Sequence, residues 1–288
     1  MPAEIVVADQ SSNHDGGLAS VAEGTPCEIV HLRLTSAGVS RARNAGIRAA
    51  RHDLLVFTDD DVRVEPDWLE CIVAGLELEP PRSVVTGLVL RERDDDRRWF
   101  TPSVSSRSDR ESRHKPVIRV IVDRSADEPL IPLCLAVRRA AFEDVGLFDE
   151  RLGPGTAFPG AEDNDLGFRL LEAGYRIVVR GDAVVSHRAW RTRRDLVPVG
   201  WRYGLGQGAF YAKHGSRDDR PMRGRLRGYV SWRLRRASRL LLPRPRQSLA
   251  DVANVAGVLV GATRWKLRYG TASEPGEPRL PSPERDPT

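Results

Sequence analysis

Leu54-Leu55-Val56-Phe57-Thr58-Asp59-Asp60-Asp61 joins a run of four apolar residues, through one threonine, to three consecutive carboxylates. A run this short and this apolar predicts a strand buried on both faces, and such strands belong to sheets covered by helices. Three adjacent carboxylates repel one another unless a cation or solvent compensates. Oxygen ligands of this kind suit Mg2+ or Mn2+, ions that usually bridge to substrate phosphates. The cluster also reads as a solvated acidic turn capping the next helix. The flanking sequence weighs between the two.

Upstream, Ser40 is placed to N-cap a helix through Arg51, with Ala42, Ala45 and Ala49 on one face. Glu4 to Asp9 reads as a strand ending in a carboxylate, followed by a polar loop from Gln10 to Gly17 and a second strand from Ile29 to Leu34. Downstream, Pro66 opens a helix whose apolar face is Trp68, Leu69, Ile72, Val73 and Leu76, and Val84 to Leu90 is a strand. Strands alternating with helices predict an α/β sheet with mostly parallel strands. In such sheets ligands sit at the carboxyl ends of strands, where Asp9 and the Asp59–Asp61 cluster both fall. After a charged loop from Arg91 to Lys115, the alternation resumes. A strand spans Ile131 to Val137, and a short helix spans Arg139 to Val145, closed by Gly146. A helix from Ala161 to Ala173 stops at Gly174. Two short strands follow, Tyr175 to Val179 and Ala183 to Ser186, the second ending at His187.

Four motifs in this order resemble those of family-2 glycosyltransferases. They are Ala42-Arg43-Asn44-Ala45-Gly46 before the apolar strand, the acid cluster after it, Pro66-Asp67-Trp68-Leu69, and Gly160-Ala161-Glu162-Asp163-Asn164-Asp165-Leu166 with His187 beyond. The resemblance covers roughly Glu4 to Lys213. It implies a GT-A-type fold: a mostly parallel sheet flanked by helices, with a Rossmann-like nucleotide-binding half, an acceptor half and a helical basic C-terminal extension. It also implies inverting transfer of a sugar from a nucleotide-diphosphate donor to a carbohydrate or lipid-linked acceptor. Asp9 matches the position that reads the nucleobase, and equally reads as an Asx-turn residue with Ser11 and Ser12. Arg43, Asn44, Asp59 and Asp60 are the other expected donor contacts. Asp60, Asp61 and His187 would hold Mg2+ or Mn2+, a Lewis acid for the diphosphate. Asp163, helped by Glu162, would take the acceptor's proton as general base. Acids in a first helical turn also complement the helix dipole without any catalytic part. The family's first strand-helix unit is expected to be missing here. A missing unit would suit a non-catalytic sugar-nucleotide or membrane-binding remnant. A nucleotidyltransferase would want a Gly-rich basic loop near the N-terminus, which the sequence does not show.

The 288 residues are 40% hydrophobic and 30% charged, with 45 Lys+Arg against 40 Asp+Glu and three well-separated cysteines. This is globular composition, not a disulfide framework, coiled coil or membrane-spanning chain. The expected organisation is a catalytic domain over 1–214, with a nucleotide-sugar half to about 90 and an acceptor half from about 117. A basic amphipathic extension follows over 215–270, then a disordered tail over 271–288. Arginine alternates with Leu240, Leu241, Leu242, Trp232 and Tyr229 in the extension. That pattern reads as a solvated basic face or as peripheral contact with an anionic membrane, with no nucleic acid expected. A cytoplasmic chain, placed at the inner face of the plasma membrane, is the matching expectation. Trp190 and Trp201 are candidates for the acceptor side.

Overall fold

The computed structural model describes residues 2–12, 24, 26–92, 105, 107–113, 115–124, 130–188, 191–215 and 219–270. The expected tail over 271–288, Trp190, and most of the loops expected over 10–17 and 91–115 lie outside them. In chain order the elements are β1 (Glu4–Asp9), β2 (Glu28–Arg33), α1 (Val39–Ala49), β3 (Leu54–Phe57), β4 (Val62–Val64), α2 (Trp68–Leu78), β5 (Ser83–Arg91), α3 (Arg107–Glu111), β6 (Arg119–Ile121), β7 (Leu135–Arg138), α4 (Arg139–Val145), α5 (Glu162–Glu172), β8 (Arg176–His187), α6 (Leu196–His214), α7 (Arg220–Leu240) and α8 (Pro245–Tyr269).

Successive side chains of a strand point to opposite faces, and the two faces of the main sheet carry separate cores. Val84, Val137 and Ile177 join Ile47 of α1, Phe142 of α4 and Leu166 and Leu170 of α5 on one side. Val85, Ala136 and Val178, one residue along in each strand, join Trp68, Ile72 and Leu76 of α2 on the other. The result is a sheet covered by helices on both faces. Cys134 lies in the second core, where Trp68 Nε1 donates to its sulfur at 3.1 Å, and burial pushes its thiol up to about 12.

The α/β class holds, but the sheet is mixed. Its order is β3-β7-β5-β8-β4, with β6 also on β8. Among the named strands of the described residues, β5 with β8, and β1 with β2 in a separate pair, run parallel, and the other pairs are antiparallel. The two strands expected at 175–186 are one strand. Its register against β5 slips between Thr86 and Leu88, where Gly87 lets the Ala183 carbonyl approach; a Cβ there would sit 2.1 Å from that oxygen. The far edge of β8 is shared: β6 pairs with Ile177–Val179 and β4 with Val185–His187.

Ser40 does not cap α1. The helix starts at Val39 after Gly38, and the Ser40 hydroxyl is buried, donating to the Leu152 carbonyl at 2.8 Å. The C-terminal helices join the domain through α6 and α8. A Cβ at Gly204 would meet Asn254 O at 2.1 Å, and one at Gly208 would meet Val258 O at 2.1 Å. Gly257 and Gly261 face Trp201 O and Leu205 O in the same way. Four glycines in two i, i+4 pairs thus set a backbone-to-backbone contact that no side chain fits. The basic extension therefore shares a core with the end of the expected acceptor half.

Candidate functional site

Residues from β1 to α8 line one cleft of about 2330 Å³, well above the roughly 300–1,000 Å³ of an ordinary small-ligand pocket. Asp9, Arg43, Asp59, Asp60, Asp61, Glu162, Asp163 and His187 all line it. Asn44, alone of the expected site residues, does not.

Arg43 organises the floor. It projects from α1 and donates to Asp59 Oδ1 at 3.0 Å, beyond the end of β3, and lies 3.5 Å from Glu162 Oε1 at the start of α5. Its guanidinium sits over the Phe148 ring at 5.4 Å. Burial opposes its charge, but Asp59, Glu162 and Asp163 outweigh burial and raise its pKa. Asp59, the first acid of the cluster, is thus paired with a buried protein cation. Asn44, one residue on, points the other way. It is fully buried, donates to the Phe148 carbonyl at 2.9 Å and to Glu150, and accepts from the Phe148 amide at 3.0 Å. It fastens the loop under Arg43 instead of facing a ligand.

The third acid, Asp61, meets a histidine through sheet pairing. Antiparallel β4 and β8 place Val62 opposite His187, and Arg188 N donates to Asp61 O at 2.8 Å. Asp61 Oδ2 then stands 3.1 Å from His187 Nε2. His187 Nδ1 is buried with no partner among the described residues. Asp60, between the two engaged acids, is exposed on the turn. No group of three His, Cys, Asp or Glu converges to hold a metal among the described residues.

The α5 entrance is strained. Ala161 adopts φ 66°, a left-handed conformation that costs a non-glycine residue about 1–2 kcal/mol and concentrates at functional sites. Gly206 of α6 backs it, for a Cβ there would lie 2.4 Å from Gly160 O. This turn delivers Glu162 and Asp163 to the cleft. Burial, then the Glu162 charge, pushes the Asp163 carboxyl up to about 7, although its side chain retains some solvent contact. Burial also raises Glu162, with Arg43 pulling against it. Two residues on, Asp165 goes the other way. It is fully buried and meets Lys213 at 2.7 Å, His214 at 2.7 Å and Arg169 at 2.9 Å. Burial opposes its ionisation, but Lys213 and Arg169, with the hydrogen bond to His214, hold it well below the ordinary carboxylate range.

Asp9 closes the far end. Its Oδ1 accepts from Ser11 N at 2.8 Å and from the Ser11 hydroxyl, and its Oδ2 lies 3.0 Å from His31. The Ser11 bonds, then His31, lower it to about 2. It is thus an Asx-turn residue that also faces the cleft.

The sequence reading missed the wall opposite. Arg188, Arg191, Trp232, Arg233 and Arg236 line the cleft, and Arg191 donates to the Tyr203 hydroxyl at 2.8 Å. Trp201, the expected aromatic, does not line it. The i, i+1, i+4 spacing of Trp232, Arg233 and Arg236 was the available signal.

Known proteins resemble this chain in sequence and in fold. The family model for glycosyl transferase family 2 matches residues 1–146. A pre-mycofactocin glycosyltransferase of Mycobacterium tuberculosis is 30% identical over 197 residues, covering 66% of this chain and 39% of that protein. An N-acetylglucosaminyl-diphospho-decaprenol L-rhamnosyltransferase of the same organism is 48% identical over 63 residues, 22% of this chain and 19% of that one. The chain thus spans about two fifths or less of the length of these relatives. Among solved structures, a mannosyltransferase of Pyrobaculum calidifontis in complex with GDP-Man and Mn2+ superposes with a TM-score of 0.57 at 19% identity, over 92% of this chain and 78% of that one. That likeness bears on the fold alone.

Proposed function

The chain belongs to glycosyl transferase family 2, and from that premise we propose that its cleft moves a sugar from a nucleotide-diphosphate donor to an acceptor hydroxyl. The observation that carries this reading is Asp163: a carboxylate in the first turn of α5, just after the strained Ala161, lining the cleft with its pKa raised to about 7. A base with a pKa near the working pH combines a populated ionised form with real proton affinity. Glu162 is held by Arg43 and is the helper. As the acceptor oxygen bonds to the sugar's anomeric carbon, its proton passes to Asp163. The bond from that carbon to the diphosphate breaks, and the configuration inverts. Arg43 fixes Asp59 for the donor's ribose, and Asp9 faces the nucleobase end.

Asp61 and His187, whose Oδ2 and Nε2 stand 3.1 Å apart, would hold Mg2+ or Mn2+ together with the donor's phosphates, with Asp60 beside Asp61 on the turn. When bound, the ion would neutralise charge on the departing diphosphate. The arginines on the opposite wall suit an acceptor carrying phosphate, such as a lipid-linked sugar.

Nucleoside diphosphate release tests the reading. UDP-, GDP- and dTDP-sugars are offered to the full chain with polyprenyl-phosphate-linked sugars and Mn2+. One donor is expected to release diphosphate in step with acceptor glycosylation, and EDTA is expected to stop it. A folded chain that releases none from any donor refutes the proposal.

A further inference from the structure

We propose that the outer faces of α7 and α8 form a docking surface for an anionic lipid bilayer. The two helices make an antiparallel hairpin, pinned by Tyr229 to Asn254, Arg233 to Asp251, and Ser248 to the Ala237 carbonyl. The inner face of α8 is consumed by α6 through the glycine contacts. Its outer face is largely apolar and is not covered by any of the described residues. Leu249 (57% exposed), Val252, Leu259 (65%) and Leu267 (84%) fall within about 80° of one another at 100° per residue, one stripe along the helix. The turn joining the helices adds Leu241 and Leu242, the latter 91% exposed.

Charge decides what covers this stripe. From Arg220 to Gly270 the chain has a single carboxylate, Asp251, and it is buried against Arg233 and Arg236. Every other charge in that span is positive. Arg244 and Arg246 stand exposed at the start of α8, with Arg264, Lys266 and Arg268 exposed at its end. Apolar side chains collared by cations match a bilayer's acyl boundary beneath anionic headgroups. A nucleic acid would engage the arginines and leave the leucines in water. Among the described residues no helix is long and apolar enough to cross a membrane, so α8 lies in the interface plane. The α8 residues that line the cleft, Ala250, Asp251 and Asn254, fall on the opposite side of the helix from this stripe at 100° per residue, so docking leaves the cleft clear of the bilayer. The docking itself does not depend on the transfer reaction.

Vesicle co-sedimentation of the full chain tests the proposal. The wild type is expected to pellet with phosphatidylglycerol vesicles and not with phosphatidylcholine vesicles. In about 1 M salt, where screening acts within about 3 Å, that binding is expected to weaken. The triple variant Leu249→Glu, Val252→Glu, Leu259→Glu is expected to lose about tenfold or more of the partition while keeping its melting temperature and elution volume. Leu267→Glu alone, at the most exposed point of the helix, serves if the triple variant fails to fold, and a several-fold loss is expected. Three results would each overturn the proposal. One is a wild type that ignores anionic vesicles or binds duplex RNA in their place. Another is stripe variants that sediment like the wild type, leaving bare charge attraction. The third is stripe variants that change oligomeric state with vesicle binding intact, which would make the stripe a contact between copies.

Discussion

Asp163→Asn is expected to retain donor binding and to lose about 10²–10⁴-fold in kcat, the usual worth of a general base. The substitution keeps the side chain's size and its bond from Asn164 N but removes the proton acceptor. Steady-state rates with calorimetric donor affinity separate the two quantities. The wild type should add a pH signature. Asp163 must be ionised to act, so kcat/KM is expected to rise as pH increases through about 7 and then level off on the alkaline side of that group. Linkage gives stability the opposite trend. The unfolded chain ionises this carboxyl near its ordinary value while the fold keeps it protonated, so its contribution to stability is present at low pH and lost as pH rises through about 7. Asp61→Asn should differ, weakening donor binding together with turnover. If the two variants behave alike, the cleft acts only as a general negative field.

Asp165→Asn, two residues along the same helix, is expected to damage the fold rather than the chemistry. Removing one partner from a buried ion pair typically costs about 3–5 kcal/mol, and Asp165 is shared by Lys213, His214 and Arg169. Asp149 also meets Lys213, at 2.9 Å, and would be left to compensate alone. Urea denaturation reads the loss. The depressed pKa of Asp165 means that its stabilisation is present above the ordinary carboxylate range and disappears as pH falls through its folded value. An Asp165→Asn protein as stable as the wild type would remove this network from the account. Carboxylates pushed in opposite directions on one helix are the expected mark of divided labour.

The elements next to strong local signals were legible. The apolar run at 54–57 and the acids after it became β3 and its turn, and Gly146 and Gly174 ended helices where expected, both with positive φ. What depended on register was not. β4 has three residues, too few for a period-two pattern to show, yet its pairing with β8 makes the Asp61–His187 contact. Strand direction leaves no trace in hydrophobic periodicity, so the antiparallel members of the sheet were invisible. Asn44 and Arg43 are adjacent in one motif, and only packing separates the residue that faces the cleft from the one that holds Phe148 in place. The glycines at 204, 208, 257 and 261 carry no signal within either helix alone, because the contact they permit is with the other helix. For the same reason Trp232 and its arginines reached the cleft wall unforeseen: α7 returns to the cleft through its contact with α8.

The most direct measurement is calorimetric titration of the full chain with UDP, GDP and dTDP, each in Mn2+ and in EDTA, repeated with His187→Ala. The account predicts that at least one nucleoside diphosphate binds, that affinity falls about tenfold or more without the ion, and that His187→Ala binds equally weakly in both conditions. Equal affinity of the wild type with and without Mn2+, or no binding of any nucleoside diphosphate to the folded chain, would contradict it.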